Sequence, residues 1–335
     1  MIAIGHSPDS FLVDSEILRS QIVNFHFIPI IVRQLRENSD LRVQTEAAKL
    51  LGNLAFNHVV NQNAIMSAQG DTSLCRGLTS APLQQCPELV RACAIGLANL
   101  AYTSVNQLSI GYGDAMTLLL QLLVDATQPS VLEAVAVAVS CLCHQNPLNK
   151  TRAIAQNGLQ VLLFVLQRNL RTTPDEDVLI AVMDCFSILA RAKAGRQHVF
   201  EGDAHVPLCY LCQTSSSQAI VHASARALCV SIPSSAERHA LQADGKPSKL
   251  ELNGLGLKAL ERARFMLYPS TTGSTEVEPV PSWLVTGMQL LQTGANACLV
   301  SDPSEVNEYY ERVYFSMESF TDMTPDDLCA SFYTA

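Results

Sequence analysis

The chain is poor in the features that usually announce a chemistry. It has one tryptophan, Trp283, and aromatic residues make up only 6% of its 335 positions. Charged residues reach 16%, against about 25% in ordinary globular domains, while 48% of the chain is apolar, a balance that suits helices covered on more than one side. Long apolar runs are missing: Met116–Val124 and Val131–Cys143 are interrupted by Gln121 and Glu133 and fall short of the ~20 residues a membrane span needs. No Walker-type loop and no G-x-G-x-x-G occurs, and Gly254-Leu255-Gly256 lacks the strand that would precede a phosphate cradle. A basic excess is also absent. Residues 1–269 carry 21 acidic and 21 basic side chains, and residues 270–335 carry 10 acidic ones and only Arg312, so the net charge of −9 belongs to the C-terminal segment. A neutral body without a basic stripe speaks against nucleic acid as the main ligand.

Eleven cysteines are too sparse in a chain of this length for a disulfide scaffold, and Cys93, Cys141, Cys143, Cys185 and Cys229 fall inside apolar helical stretches. They read as reduced, buried thiols. The first basic residue, Arg19, follows Asp9, Asp14 and Glu16, so neither a secretory leader nor a basic transit peptide is expected. The expected compartment is reducing and aqueous, most simply the cytoplasm, with cytoskeletal, ciliary or organellar association left open.

What the chain does have is a period. A glycine or aspartate closes a stretch of similar length at Gly70, Asp114, Gly158, Asp203 and Gly245, at intervals of 44, 44, 45 and 42 residues. Before each mark runs a helical apolar stripe and a short polar loop: Leu50–Phe56 with Asn61 and Ile65, then Ile95–Tyr102 with Asn106 and Ile110. A period in the forties built from helices alone predicts a stacked α-solenoid, because one such unit cannot bury its apolar face until neighbours cover it. A capping residue 1–24 segment, repeats over 25–70, 71–114, 115–158, 159–203 and 204–245, a partial repeat over 246–268, a Pro/Ser/Thr-rich linker over 269–282 and an acidic helical tail over 283–335 are expected. The long third helix of repeat one should start near Asp40, and Pro87 fits the first turn of its counterpart. Ser130 with Glu133, and Thr173-Pro174-Asp175-Glu176, match capping boxes, so these carboxylates and Asp177 are assigned to helix starts rather than to chemistry.

The string Ala-x-x-Leu-x-Asn-Leu-Ala, clearest at Ala48–Ala55 and Ala94–Ala101 and followed by an asparagine, an isoleucine and a glycine, resembles the armadillo repeat family over about residues 25–245. The resemblance implies an all-α, right-handed solenoid of about five three-helix repeats, with a partial repeat and C-terminal helices. It implies third helices lining a concave groove that binds partner proteins or extended peptides, and it places the asparagine that holds a ligand backbone at Asn53 and Asn99. An amide suits that task, offering donor and acceptor without a fixed charge. Later repeats carry Cys141, Ile188 and Cys229 or Val230 there, so the ladder is not continued, and the groove's second half reads as more apolar. Bracing of loops or adjacent helices is the other reading of Asn53 and Asn99. Asn57, Thr103, His144 and Ala192 lie one turn further along and extend the candidate surface.

In the tail, Val306, Tyr310, Val313, Met317 and Phe320 fall at helical spacing beside Glu308, Glu311 and Glu318. This acidic amphipathic stretch either caps the solenoid or docks a partner through Tyr310, Val313 and Met317. If it regulates its own groove, Arg42, Arg91 and Arg191 are the basic residues to attract it. The sharpest metal candidate is His205, Cys209 and Cys212, at i, i+4 and i+7 on one helix face, with His222 possible nearby. No second ligand pair accompanies it, so no metal and no cofactor is expected, and a zinc or redox protein using Cys209 and Cys212 stands as an alternative. Cys141, Cys143 and His144 alternate around a helix and form no nucleophile pair. The expectation is a non-catalytic scaffold or subunit of a hetero-complex of proteins, with an adaptor or co-chaperone gripping an extended peptide near Asn53 and Asn99 as the alternative.

Overall fold

The structure, a computed structural model, describes residues 26–80, 82–172, 174–201, 204–232, 251–268 and 280–293. Among these there are sixteen α-helices and no strand. Helices α1 (Phe27–Glu37) and α2 (Leu41–Ala55) are followed by α3 (Val59–Ser67), α4 (Gly70–Gly77) and α5 (Pro87–Leu100), then by α6 (Ser104–Tyr112), α7 (Ala115–Asp125) and α8 (Pro129–Cys143). The next triplets are α9 (Pro147–Ala155), α10 (Gly158–Arg171) and α11 (Glu176–Ala190), and α12 (Lys193–Glu201), α13 (His205–Thr214) and α14 (Gln218–Ser231). Helices α15 (Glu251–Leu267) and α16 (Ser282–Thr293) close the described chain.

Each triplet is a short first helix, a second helix and a long third helix. The third helices α2, α5, α8, α11 and α14 pack side by side in that order, and α16 continues the row against α14 and α15. Second helices stack beside them, α1 on α4, α7 on α10 and α13 on α15. The architecture is therefore the α-solenoid that the period implies. Because a third helix is covered on both flanks and from behind, it is apolar nearly all round: from Val178 to Ala190, α11 is buried at every position except half-buried Ile180. The less covered α1 buries only the stripe Ile28, Ile31, Val32 and Leu35.

The glycine marks have a steric cause. Gln69 and Asn157 adopt left-handed φ of 59° and 61° to turn the first helix into the second. The following Gly70 and Gly158 then lie against the preceding helix end, where a Cβ would stand 2.9 Å from the Ile65 carbonyl oxygen and 2.7 Å from that of Ala153. At α7 the place of these glycines is taken by Ala115, and Asp114 stands before it at the N-cap, where Gln69 and Asn157 stand in the other repeats. Asp203 and Gly245 lie outside the described residues, as do residues 1–25 and 294–335 and most of the stretch read as a linker.

Helix starts agree with the sequence in part. Asp40 caps α2 by accepting from the Arg42 amide at 2.8 Å, and Pro87 opens α5. Two capping boxes are corrected. Helix α8 begins at Pro129 after Gln128, so Ser130 and Glu133 lie inside the helix and cap nothing. At α11 the cap is Asp175 itself, accepting from the Val178 amide at 3.1 Å. In both places a residue one or two positions from the hydroxyl gives the turn, a shift that a spacing of three residues does not resolve.

The repeats are joined by buried amides. Each of the first helices α3, α6 and α9 is capped by His58, Thr103 or Asn146, which accepts from the amide of Asn61, Asn106 or Asn149. Those asparagines donate inward to the last carbonyls of the preceding third helix: Asn61 to Leu54 at 2.9 Å, Asn106 to Leu100 at 3.0 Å, Asn149 to Leu142 at 2.9 Å. The glutamines beside them reach across to the next repeat. Gln62 donates to the Ala55 and Asn99 carbonyls at 2.8 and 3.2 Å, and Gln107 to those of Cys141 and His144 at 2.9 and 3.0 Å. Asn149 also donates to the Gln107 carbonyl at 2.7 Å. Apart from that of Gln107, which lies inside α6, these are carbonyls that a helix C-terminus leaves without an intrahelical donor. Gly111 allows the approach, since a Cβ there would collide with the Asn149 amide.

The pattern changes on α9 and again on α12. Lys150 stands where Gln62 and Gln107 stand, Gly195 replaces the asparagine with its backbone against the Leu189 carbonyl, and Arg196 donates to the Arg191 carbonyl at 2.7 Å. Arginines bind other helix ends: Arg168 holds the Val124 and Ala126 carbonyls after α7 at 2.8 and 2.7 Å, and Arg262 holds those of Cys212 and Ser215 after α13.

Replacing Asn149 with alanine strands the Leu142 carbonyl in the interior and removes the bond to the Gln107 carbonyl of the preceding repeat. Urea unfolding should show a loss of about 1–3 kcal/mol, whereas Thr151→Ala, on the exposed side of the same helix, should stay within about 0.5 kcal/mol of the parent. Equal midpoints for the two variants would show that the amides do not hold the repeats together.

Candidate partner-binding surface

The surface to which the sequence points is the open side of the third-helix row. Asn53 lies half-buried in the last turn of α2. Asn99, its counterpart on α5, is only 7% exposed, and its Nδ2 donates to the Gly52 carbonyl of α2 at 3.0 Å. One asparagine of the pair therefore ties two third helices together, the bracing role that its residue type also allows. Asn57 is exposed just beyond α2, in a left-handed conformation with φ 44°. Thr103 caps α6 through a bond from the Asn106 amide at 3.2 Å, and half-buried His144 ends α8, where its carbonyl takes the Gln107 amide. Tyr310, Val313 and Met317 lie outside the described residues.

Four residues before Asn53 and its equivalents stand Lys49, Ile95, Val137, Asp184 and Arg226. Lys49 is exposed, Ile95 and Val137 are half-buried, and Asp184 and Arg226 are buried. Towards the helix starts, Arg91 on α5 and Asp175 and Asp177 on α11 lie within electrostatic reach of half-buried Glu133 on α8. Burial, then the charge of Asp177, pushes the Glu133 carboxyl above its ordinary range, Asp175 adds to the rise, and Arg91 partly offsets it. This mixed row of charge and apolar side chains is absent from the repeat signature, which follows the asparagine alone. Its signal in the sequence is the polar residue that recurs on the otherwise apolar third helices.

The expected greasier second half does not appear at the ladder position. Cys141, Ile188 and Cys229 are buried and expose no apolar patch.

The thiols behave as core groups. Cys209 and Cys212 are buried on α13, and burial pushes their thiols up to about 11 and about 12, far from the thiolate that a metal or a redox partner needs. The Cys212 sulfur lies 3.1 Å from the Ser224 hydroxyl oxygen. Burial lowers the pKa of His205, and His222 meets Trp283 edge to face at 5.4 Å. Among the described residues no three His, Cys, Asp or Glu side chains assemble into a group that could hold a metal ion, and no helix is long and apolar enough to cross a membrane. Burial also raises the Cys143 thiol well above its ordinary value.

Two measurements follow. Cys209 and Cys212 should resist iodoacetamide at pH 8 in the folded protein and react after unfolding, as read by peptide mapping; rapid labelling of both in the native state would contradict their burial. Glu133 holds its proton more tightly folded than unfolded, so its contribution to stability is present at low pH and is lost as pH rises from about 4.5 through the higher folded value. Glu133→Gln should therefore raise the urea midpoint at pH 7, with the gain shrinking below pH 4.5, and a gain independent of pH would contradict the assignment.

The fold has counterparts among known proteins. The family model described as "Armadillo/beta-catenin-like repeat" matches residues 15–56. No curated protein matches the sequence. Among solved structures, the chain is similar to an engineered protein at 20% identity and TM-score 0.62, covering 80% of this chain and 97% of that one. It is similar to a designed armadillo repeat protein at 18% identity and TM-score 0.60, covering 80% and 100%. A third, a designed armadillo repeat protein in complex with the peptide (KR)4, is 19% identical with TM-score 0.60, covering 80% and 99%. At such identities the likeness concerns the fold.

Proposed function

We propose that this armadillo-like repeat protein is a non-catalytic scaffold that binds a segment of another protein along its third-helix row, within a hetero-complex. The observation that carries the reading is the row itself. Across α2, α5 and α8 it sets Asn53, Lys49, Arg91, Ile95, Glu133 and Val137 side by side on a framework already braced from within. A stacked framework supplies a long, pre-organised face, and a partner that lies along it loses little to reordering of the scaffold. Alternating charge and apolar groups favour a polypeptide over a nucleic acid, which needs an excess of cations.

In this reading Asn53 grips the partner's backbone and Asn99 sets the distance between α2 and α5. The likeness to a designed repeat protein that carries the peptide (KR)4 supports an extended segment as the ligand. Protonated thiols, and the absence of a metal-holding group among the described residues, give no support to a zinc or redox role.

Selection of peptides from a display library on the immobilised full chain tests the proposal. Enriched peptides should lose about 1–3 kcal/mol of affinity with Asn53→Ala, through a lost backbone hydrogen bond, and should be sensitive to charge reversal at Arg91. Asn99→Ala should act first on stability. A library that yields no binder, binders indifferent to both Asn53 and Arg91, or turnover of a broad substrate panel by the protein alone would overturn the reading.

A further inference from the structure

The open side of the third-helix row changes character towards its far end. From Leu89 to Leu100 on α5 every position is buried except Arg91 and Ile95, and from Val131 to Cys143 on α8 every position except Glu133 and Val137. On the next two helices one position remains: Ile180 between Val178 and Ala190 on α11, and His222 between Ile220 and Ser231 on α14. Arg91, Glu133, Ile180 and His222 stand at one place of the repeat, eight residues before Asn99 and its equivalents Cys141, Ile188 and Val230.

Trp283 extends this line onto α16. Its indole meets the His222 ring edge to face at 5.4 Å, and one turn on, a Cβ at Gly287 would collide with the Cys229 sulfur, so α16 lies along α14 in the same direction. Trp283 is half-buried, whereas its neighbour Leu284 is fully enclosed. The one tryptophan of the chain thus stands beside the residue that marks the open side of α14. A half-buried indole offers a large, rigid apolar area with a fixed geometry for a further ring, the kind of group on which binding energy concentrates.

Charge distinguishes the neighbouring place. Asp177 is exposed one turn before Ile180 on α11. Burial and then the Asp177 charge raise the Glu133 carboxyl on the adjacent helix, and Arg91 only partly offsets the rise. The place between α8 and α11 therefore gains from an added cation, and the place between α14 and α16 from an added ring.

We propose that the far end of the row selects the partner segment by a paired signal: an aromatic side chain seats against His222 and Trp283, and a lysine or arginine of the same segment reaches Asp177 and Glu133. This rests on the role of the row as a face that binds a segment of another protein. Spacing sets the pair. Packed third helices stand about 8–10 Å apart, a step that an extended chain covers in about two or three residues at ~3.3 Å each.

Trp283 reports on its own end of the row, because the chain has no other tryptophan. The probes are two glycine/serine-spaced peptides without tryptophan or tyrosine, each with one phenylalanine and a lysine three residues before or after it. They are titrated into the full chain and followed by Trp283 emission and by calorimetry. The tighter of the two should saturate and shift the emission. Exchanging its phenylalanine for serine, or its lysine for glutamate, should weaken it about tenfold, and Asp177→Lys should reverse the preference between the lysine and glutamate peptides. His222→Ala should weaken the phenylalanine peptide, whereas His222→Phe, which keeps a ring edge on the indole, should retain it; circular dichroism reports whether each variant stays helical. Equal affinity for the lysine and glutamate peptides, or binding that leaves Trp283 emission unchanged and ignores His222, would overturn the inference. No saturable binding of either probe would overturn it alone if library-selected peptides bind through Asn53, and together with the scaffold role if none does.

Discussion

Buried amides at the seams between repeats are the constraint on which the rest of this protein depends. A third helix ends in carbonyls that its own turns cannot satisfy, and here the end is covered by the next first helix rather than by water. Asn61, Asn106 and Asn149 answer those carbonyls, and Gln62 and Gln107 tie each end to the following repeat. Apolar burial drives the stacking, but it is non-directional; the amides fix the rotation at which each unit meets its neighbour. A shift of one residue would leave several carbonyls stranded at once.

That rotation determines what the surface offers. With each third helix held by its flanks, the residues four positions before the ladder asparagine line up as Lys49, Ile95, Val137, Asp184 and Arg226, and the acids of α8 and α11 are drawn together around Glu133. The same rotation turns Val60, Val105 and Leu148 outward on the other edge. One internal device thus sets both the third-helix row and the outward side of the first helices.

The repeat architecture was legible because a period survives even where individual motifs erode. Gly70 and Gly158 are read correctly as marks since backbone packing leaves no room for a Cβ there, a requirement that shows directly in composition. The site was less legible. Asn53 and Asn99 look equivalent in sequence, yet their burial differs, and only packing assigns Asn99 to the Gly52 carbonyl. Ser130 and Glu133 match a capping spacing, but Pro129 starts the helix one residue earlier and frees Glu133 to face the charges of adjacent helices. The repeat signature follows the asparagine and gives no place to Gln62 and Gln107, although the Asn-Gln pair itself recurs one repeat apart.

The substitution of Gly195 and Arg196 for an asparagine and its neighbour, with Lys150 in place of a third glutamine, divides the stack into unequal lengths. Ahead of it the units are stitched across every junction; behind it, α11 is approached by a cation and a bare glycine backbone. The seams of this solenoid are therefore of two chemical kinds, carboxamide ahead of the change and guanidinium beside bare backbone behind it.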